Sequence, residues 1–181
     1  MTRIRLLPLV LVGAAAMLLT GHSPYRQWFV YRARHLIVVT DELRPEAFAL
    51  ASAVASAIAA RWPETKAVAA AAKSPLEVVK LLDSGQLDVG LVPAAVAAQA
   101  LHGQGGFEGR GEVPLRAVAA LGDDLLVVLA SFPRQRAHDI AQALVESRTG
   151  SGLGKKTSLR GPATIPLHPG ALAYYQGAPG G

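Results

Sequence analysis

The stretch "GSGLGKKTS", residues 150–158, gathers three glycines, two lysines and three hydroxyl side chains, Ser151, Thr157 and Ser158. Loops that cradle phosphates use the same residue types. A Walker-type loop, however, needs four residues between its glycines, a lysine followed directly by Ser or Thr, and a strand just before it. Here Gly154 is followed by Lys155 and Lys156, and a helical pattern precedes. The segment reads as a flexible linker. Five histidines, His22, His35, His102, His138 and His168, lack the short spacings of metal ligands, so no metal site is expected. In "HPG", His168 reads as a turn former that bonds locally. Ser131 lacks the flanking glycines of a nucleophile elbow, and Asp123–Asp124 reads as a turn between strands. No catalytic group is assembled, so neither an enzyme nor a cofactor is expected.

Composition narrows the classes further. The chain has 181 residues, of which 51% are hydrophobic and 17% charged, so it suits one packed domain rather than a disordered chain. Cysteine is absent, which rules out disulfides, thiolate metal sites and a cysteine nucleophile. The net charge of +5 is spread along the chain with no basic helical stripe, so nucleic acid is not an expected partner.

The N-terminus "MTRIRLLPLVLVGAAAMLLTG" has the charged start (Arg3, Arg5) and apolar run (Leu6 to Thr20) of an export signal. That run is short against the roughly 20 residues a spanning helix prefers. "SPYRQWFVYR" follows and suits a membrane interface, so a cleaved signal and an uncleaved anchor both fit. In "LLTGH", His22 stands where a lipoprotein box needs cysteine, which excludes lipid attachment there. The expected location is periplasmic or extracytoplasmic, with the membrane as a partner through residues 1–34.

The body alternates strand and helix. "HLIVVT" (35–40) reads as a buried strand. Pro45 opens a helix carrying Ala47, Ala51, Val54 and Ile58 on one face, and "RWP" ends it. "KAVAAAA" reads as a second strand by position. "SPLE" is a capping box with Ser74 as N-cap and Glu77 at N3, and Gly85 in "DSG" suits a left-handed C-cap. "LDVGLV" is a third strand, "PAAVAAQAL" a short helix, and "LRAVAAL" and "LLVVLAS" two more strands. "RAHDIAQALVES" is an amphipathic helix with Ile140 and Leu144 inward. Such alternation argues for an α/β fold: an open, mostly parallel sheet flanked by helices.

Three segments resemble the TAXI family, the solute-binding subunits of TRAP-type transporters. They are "SPLEVVKLLDSGQLDVGLVPAAVAAQAL" (74–101), "GFEGRGEVPLRAVAALGDDLLVVLAS" (106–131) and the C-terminal "IPLHPGALAYY" (165–175). The resemblance covers residues 28–146 and 164–176. It implies a periplasmic-binding-protein-like lobe at 35–146, a linker at 147–163, and a returning C-terminal segment at 164–181. That segment is expected to dock through Leu167, Leu172, Tyr174 and Tyr175. Family members have two lobes, and the second is expected to be missing here. "TDELRPEAF" (40–48) also departs from the Gly-rich, aromatic loop that the family places after its first strand.

The resemblance also implies where a ligand sits. Proteins of this fold hold anions at helix N-termini, beyond the C-terminal ends of the strands. The matching ligand-binding positions are Thr40 and Asp41, Lys73 and Ser74, and Val92 and Ala94. Ser74 serves equally as a plain helix cap, and the charge of Asp41 opposes an acidic ligand. The implied activity is that of an exported protein presenting a small organic acid to a membrane permease. The alternative is a membrane-tethered lobe that binds no ligand and acts through protein contacts.

Overall fold

A computed structural model describes residues 31–32, 34–147, 157–158 and 164–178. The signal-like segment and most of the 147–163 linker lie outside the described residues. Among the described residues no helix is long and apolar enough to cross a membrane.

The body from residue 34 onward is an α/β unit. Its elements are β1 (Ile37–Asp41), α1 (Pro45–Arg61), β2 (Val68–Ala72), α2 (Pro75–Asp83), β3 (Val89–Pro93) and α3 (Ala94–Leu101). Then come β4 (Leu115–Leu121), β5 (Asp124–Leu129), α4 (Arg134–Glu146), β6 (Thr157–Ser158) and α5 (Pro169–Tyr175). The sheet order is β2-β1-β3-β5-β4-β6. β2 and β3 both lie parallel to β1, with α1 and α2 as crossovers. β5 is antiparallel to β3 and to β4, so β4 regains the direction of the first three strands. The sheet is therefore open and mixed, with most strands pointing one way.

Side-chain alternation divides the core into two layers. Val38, Leu91, Leu126 and Val128 face one layer, filled by Val54 and Ile58 of α1 and Ile140 and Leu144 of α4. Ile37, Val39, Leu125 and Val127 face the other, with Val78 and Leu82 of α2 and the loop residue Phe107. β1 is buried along its whole length, including Thr40 and Asp41, because helices cover both its faces. α1 packs through alanines at 47, 51, 55 and 57, which let a long helix lie close to the sheet.

α2 is bounded as its sequence demands. Glu77 N–H donates to Ser74 Oγ at 3.2 Å, and the Glu77 carboxylate accepts from Lys73 N–H at 2.8 Å. The return bond thus lands one residue before the N-cap. At the other end Gly85 takes φ +65°. Its N–H donates to Leu82 O while Gln86 N–H donates to Leu81 O, the paired bonds of a Schellman ending.

The C-terminal segment packs on β4. Ala117 N–H donates to Pro166 O, and His168 N–H donates to Ala117 O, so residues 166–168 lie alongside the strand as an added parallel bridge. β6 pairs with the far end of the same strand at Ala120 and Leu121, which places part of the 147–163 segment in the sheet. Ile165 is buried, and Leu167, Tyr174 and Tyr175 are partly buried against the two core layers. Leu172 departs from expectation, since it is 40% exposed. The buried face of α5 is instead Gly170, Ala171 and Ala173. A methyl group on Gly170 would overlap the Arg134 carbonyl oxygen, so the two helices meet at backbone range. Only small residues fit between them, and Leu172 turns outward.

Candidate functional site

The C-terminal ends of β1, β2 and β3 share one edge of the sheet. Asp41 pairs with Ala72, which brings Lys73 and Ser74 beside it. β5 runs the other way, so its first residue, Asp124, reaches the same edge opposite Pro93. All six expected ligand positions therefore gather along this edge, in the order Lys73–Ser74, Thr40–Asp41, Val92–Ala94. The structure adds Arg44 and also Asp124, which the sequence suggested only as a turn residue.

Arg44 is the N-cap residue of α1 and lies between two carboxylates. Its Nε and Nη2 donate to Asp41 Oδ2 at 3.1 and 2.7 Å, and its Nη1 donates to Asp124 Oδ1 at 2.7 Å. Asp41 and Asp124 are nearly enclosed, at 1% and 11% side-chain exposure, while Arg44 keeps 27%. Burial alone pulls the guanidinium pKa down. Hydrogen bonds and charge from Asp41 and Asp124 more than offset that and leave it raised. A guanidinium has five N–H bonds, and these contacts use three of them. The remaining two belong to Nη1 and Nη2, on the most exposed member of the cluster. Thr40 Oγ1 and Asp41 Oδ1 are buried at the same edge without a hydrogen-bond partner among the described residues.

Several backbone donors at this edge are used within the fold. Ala94 N–H donates to Asp123 O at 3.0 Å. Ser74 Oγ and the Glu77 carboxylate occupy the first turn of α2. Val92 is buried in β3 and contributes no polar side chain. The guanidinium of Arg44 and the ammonium of Lys73 are the cations at this edge among the described residues. Among the described residues no group of three or more His, Asp or Glu side chains is placed to hold a metal.

Arg44 had a faint local signal. Asp-x-x-Arg directly before a helix-opening proline puts the two side chains one turn apart. Asp124 had none, because its partner is 80 residues away in sequence.

His168, read as a local turn former, does more than that. Its Nδ1 accepts from Gly170 N–H at 3.1 Å and caps α5. Its Nε2 lies 3.0 Å from Phe132 O, a bond that requires a proton on Nε2. Burial, with Arg116 and Arg134 nearby, lowers its pKa, although the bond to Phe132 opposes the shift.

No curated protein sequence matches the chain. A family model described as "NMT1-like family" matches residues 46–152, more than half of the chain. The match runs from the first turn of α1 past the end of α4, and so takes in most of the sheet and four of its helices. It begins two residues after Arg44 and includes Asp124. The chain belongs to the NMT1-like family, a periplasmic-binding-protein-like family of solute-binding proteins.

Proposed function

We propose that this chain is an exported solute-binding protein of a TRAP-type (TAXI) transport system and presents a small organic acid to a membrane permease. The observation that carries the ligand class is Arg44. Asp41 and Asp124 orient Arg44, which retains two N–H bonds, and Lys73 at the same edge adds the second cation that balances the two carboxylates. A planar fork of that kind suits a carboxylate. Family membership supports the binding role, and the motifs at 74–101 and 165–175 support the TAXI assignment. Export and membrane association rest on Arg3, Arg5 and the apolar run to Thr20.

Thermal unfolding with a panel of small organic acids and matched amines tests the ligand class. A solute at 100 times its Kd stabilises the native state by about 2.7 kcal/mol. At least one acid should raise the midpoint, and Arg44→Gln should abolish the rise. A panel in which only amines act would overturn the acid assignment. Export is tested by fusing residues 1–40 to a reporter active only after translocation, and an inactive fusion rejects it.

A second reading, a lobe acting through protein contacts, is favoured by one feature at the same edge. Leu43 is 68% exposed and Phe48 41% exposed, flanking Arg44 on the loop and first turn of α1. If neither acids nor amines move the midpoint, this second reading holds.

A further inference from the structure

The most enclosed titratable group outside the candidate edge is His168, and it sits where the C-terminal segment meets the body. Both ring nitrogens are committed. Nδ1 must carry a lone pair to accept from Gly170 N–H, and Nε2 must carry the proton to reach Phe132 O. This is one tautomer of the neutral ring. A second proton has only Nδ1 to occupy, where it would point at the Gly170 N–H and end the cap. Among the described residues the charged groups that act on the ring are both cations: Arg116 from β4 and Arg134 from the first turn of α4. His138 of α4 packs its ring against Tyr174, 5.2 Å between centroids, and its neighbour Asp139 lies 3.5 Å from its Nδ1. The carbonyls of Phe132 and Ala130 favour the charged ring, but burial and the two cations outweigh them and the neutral imidazole is preferred.

We propose that His168 is an acid-sensitive latch, holding residues 164–178 on the sheet at neutral pH and releasing them on acidification. The segment has other anchors besides this ring, among them buried Ile165 and partly buried Leu167, Tyr174 and Tyr175. They also include the backbone bonds of residues 166–168 to Ala117, the Tyr175 O–H bond to Val118 O at 2.8 Å, and the small face of Gly170, Ala171 and Ala173. The direction follows from linkage. In the released segment the imidazole titrates near its ordinary 6.5, whereas in the docked segment it resists protonation to lower pH. The released form therefore binds more protons below pH 6.5, and docking weakens steadily as pH falls through that window. Above 6.5 both forms are neutral and the latch is fully closed. Release would uncover β4 along Ala117 and the small-residue face of α4.

A single introduced cysteine reads this directly, because the chain has no cysteine of its own. Gln176 is exposed at the end of α5. A nitroxide on Gln176→Cys in the full chain reports local motion by its EPR lineshape, and far-UV circular dichroism monitors the body. On going from pH 7.5 to 5.0 the ratio of mobile to immobile spectral component should rise, by up to about 30-fold, with the helical signal of the body retained. His168→Asn keeps a capping side chain that does not titrate, and should remove the response. Arg134→Gln, a change at an exposed position, removes one repelling cation and should shift the release to lower pH. It keeps the test decisive if the Asn variant fails to fold. His138→Asn should leave the response intact. A lineshape unchanged down to pH 5.0 overturns the proposal, as does release that coincides with loss of the body's helical signal. A response that survives in His168→Asn, or disappears in His138→Asn, also overturns it.

Discussion

Replacing Gly170 with alanine sets two physical effects of opposite sign against each other. Gly170 lies inside α5 with ordinary helical geometry, so alanine there should favour the helix by up to about 1 kcal/mol. The space around it argues the other way. An added Cβ would overlap the Arg134 carbonyl oxygen, and would lie 2.9 Å from the Arg134 carbonyl carbon and 3.0 Å from His138 N. All three are backbone atoms in the first turns of α4, so no rotamer change relieves the contact. Either α5 shifts away from α4 or the segment lifts off. Overpacking of this kind costs about 1–3 kcal/mol. A shift also strains the His168 cap and the Tyr175 bond to Val118, each worth about 1 kcal/mol. The net expectation is a loss of about 3 kcal/mol. With a urea slope of about 2 kcal/mol/M, the midpoint should fall by about 1.5 M. Leu172→Ala on the exposed side of the same helix should cost under about 1 kcal/mol and serves as the control. A Gly170→Ala midpoint equal to or above that of the parent would show that the two helices do not meet at backbone range.

Arg44→Ala leaves Asp41 enclosed without its cation. Because Arg44 itself is a quarter exposed, the cost should be about 2 kcal/mol rather than the larger value of a fully buried pair, read from urea unfolding. Ser74→Ala removes the acceptor for Glu77 N–H and should cost about 1 kcal/mol, and an unchanged midpoint would place the start of α2 elsewhere. Tyr175 is raised well above its ordinary 10.0 by burial, with Tyr174 adding to the shift. Its unfolded form therefore ionises first, and the contribution is complete below pH 10 and shrinks as pH rises beyond it. Thermal midpoints of the parent should fall more steeply above pH 10 than those of Tyr175→Phe, and parallel curves would refute the assignment.

Elements with a local cause were legible along the chain. Pro45 and the alanine spacing determine α1, and Ser74, Glu77 and Gly85 determine both ends of α2, because a cap or a 3.6-residue repeat acts within a few residues. Strand–helix alternation likewise implied parallel pairing for β1, β2 and β3, since a crossover helix leaves little alternative. The edge where those strands end could be named in advance for the same reason. Tertiary structure alone decided what that edge contains. Asp124 looked like a turn residue until the reversal of β5 carried it opposite Pro93 and within 2.7 Å of Arg44. The C-terminal helix shows the same division. Its large side chains advertised docking, but the orientation of α5 depends on how closely it meets α4, a distance set by Gly170 and the Arg134 carbonyl. That contact put Leu172 in solvent and a neutral His168 in the core. Neither outcome has a local signature, because each is an interaction between residues more than 30 positions apart that only folding brings together.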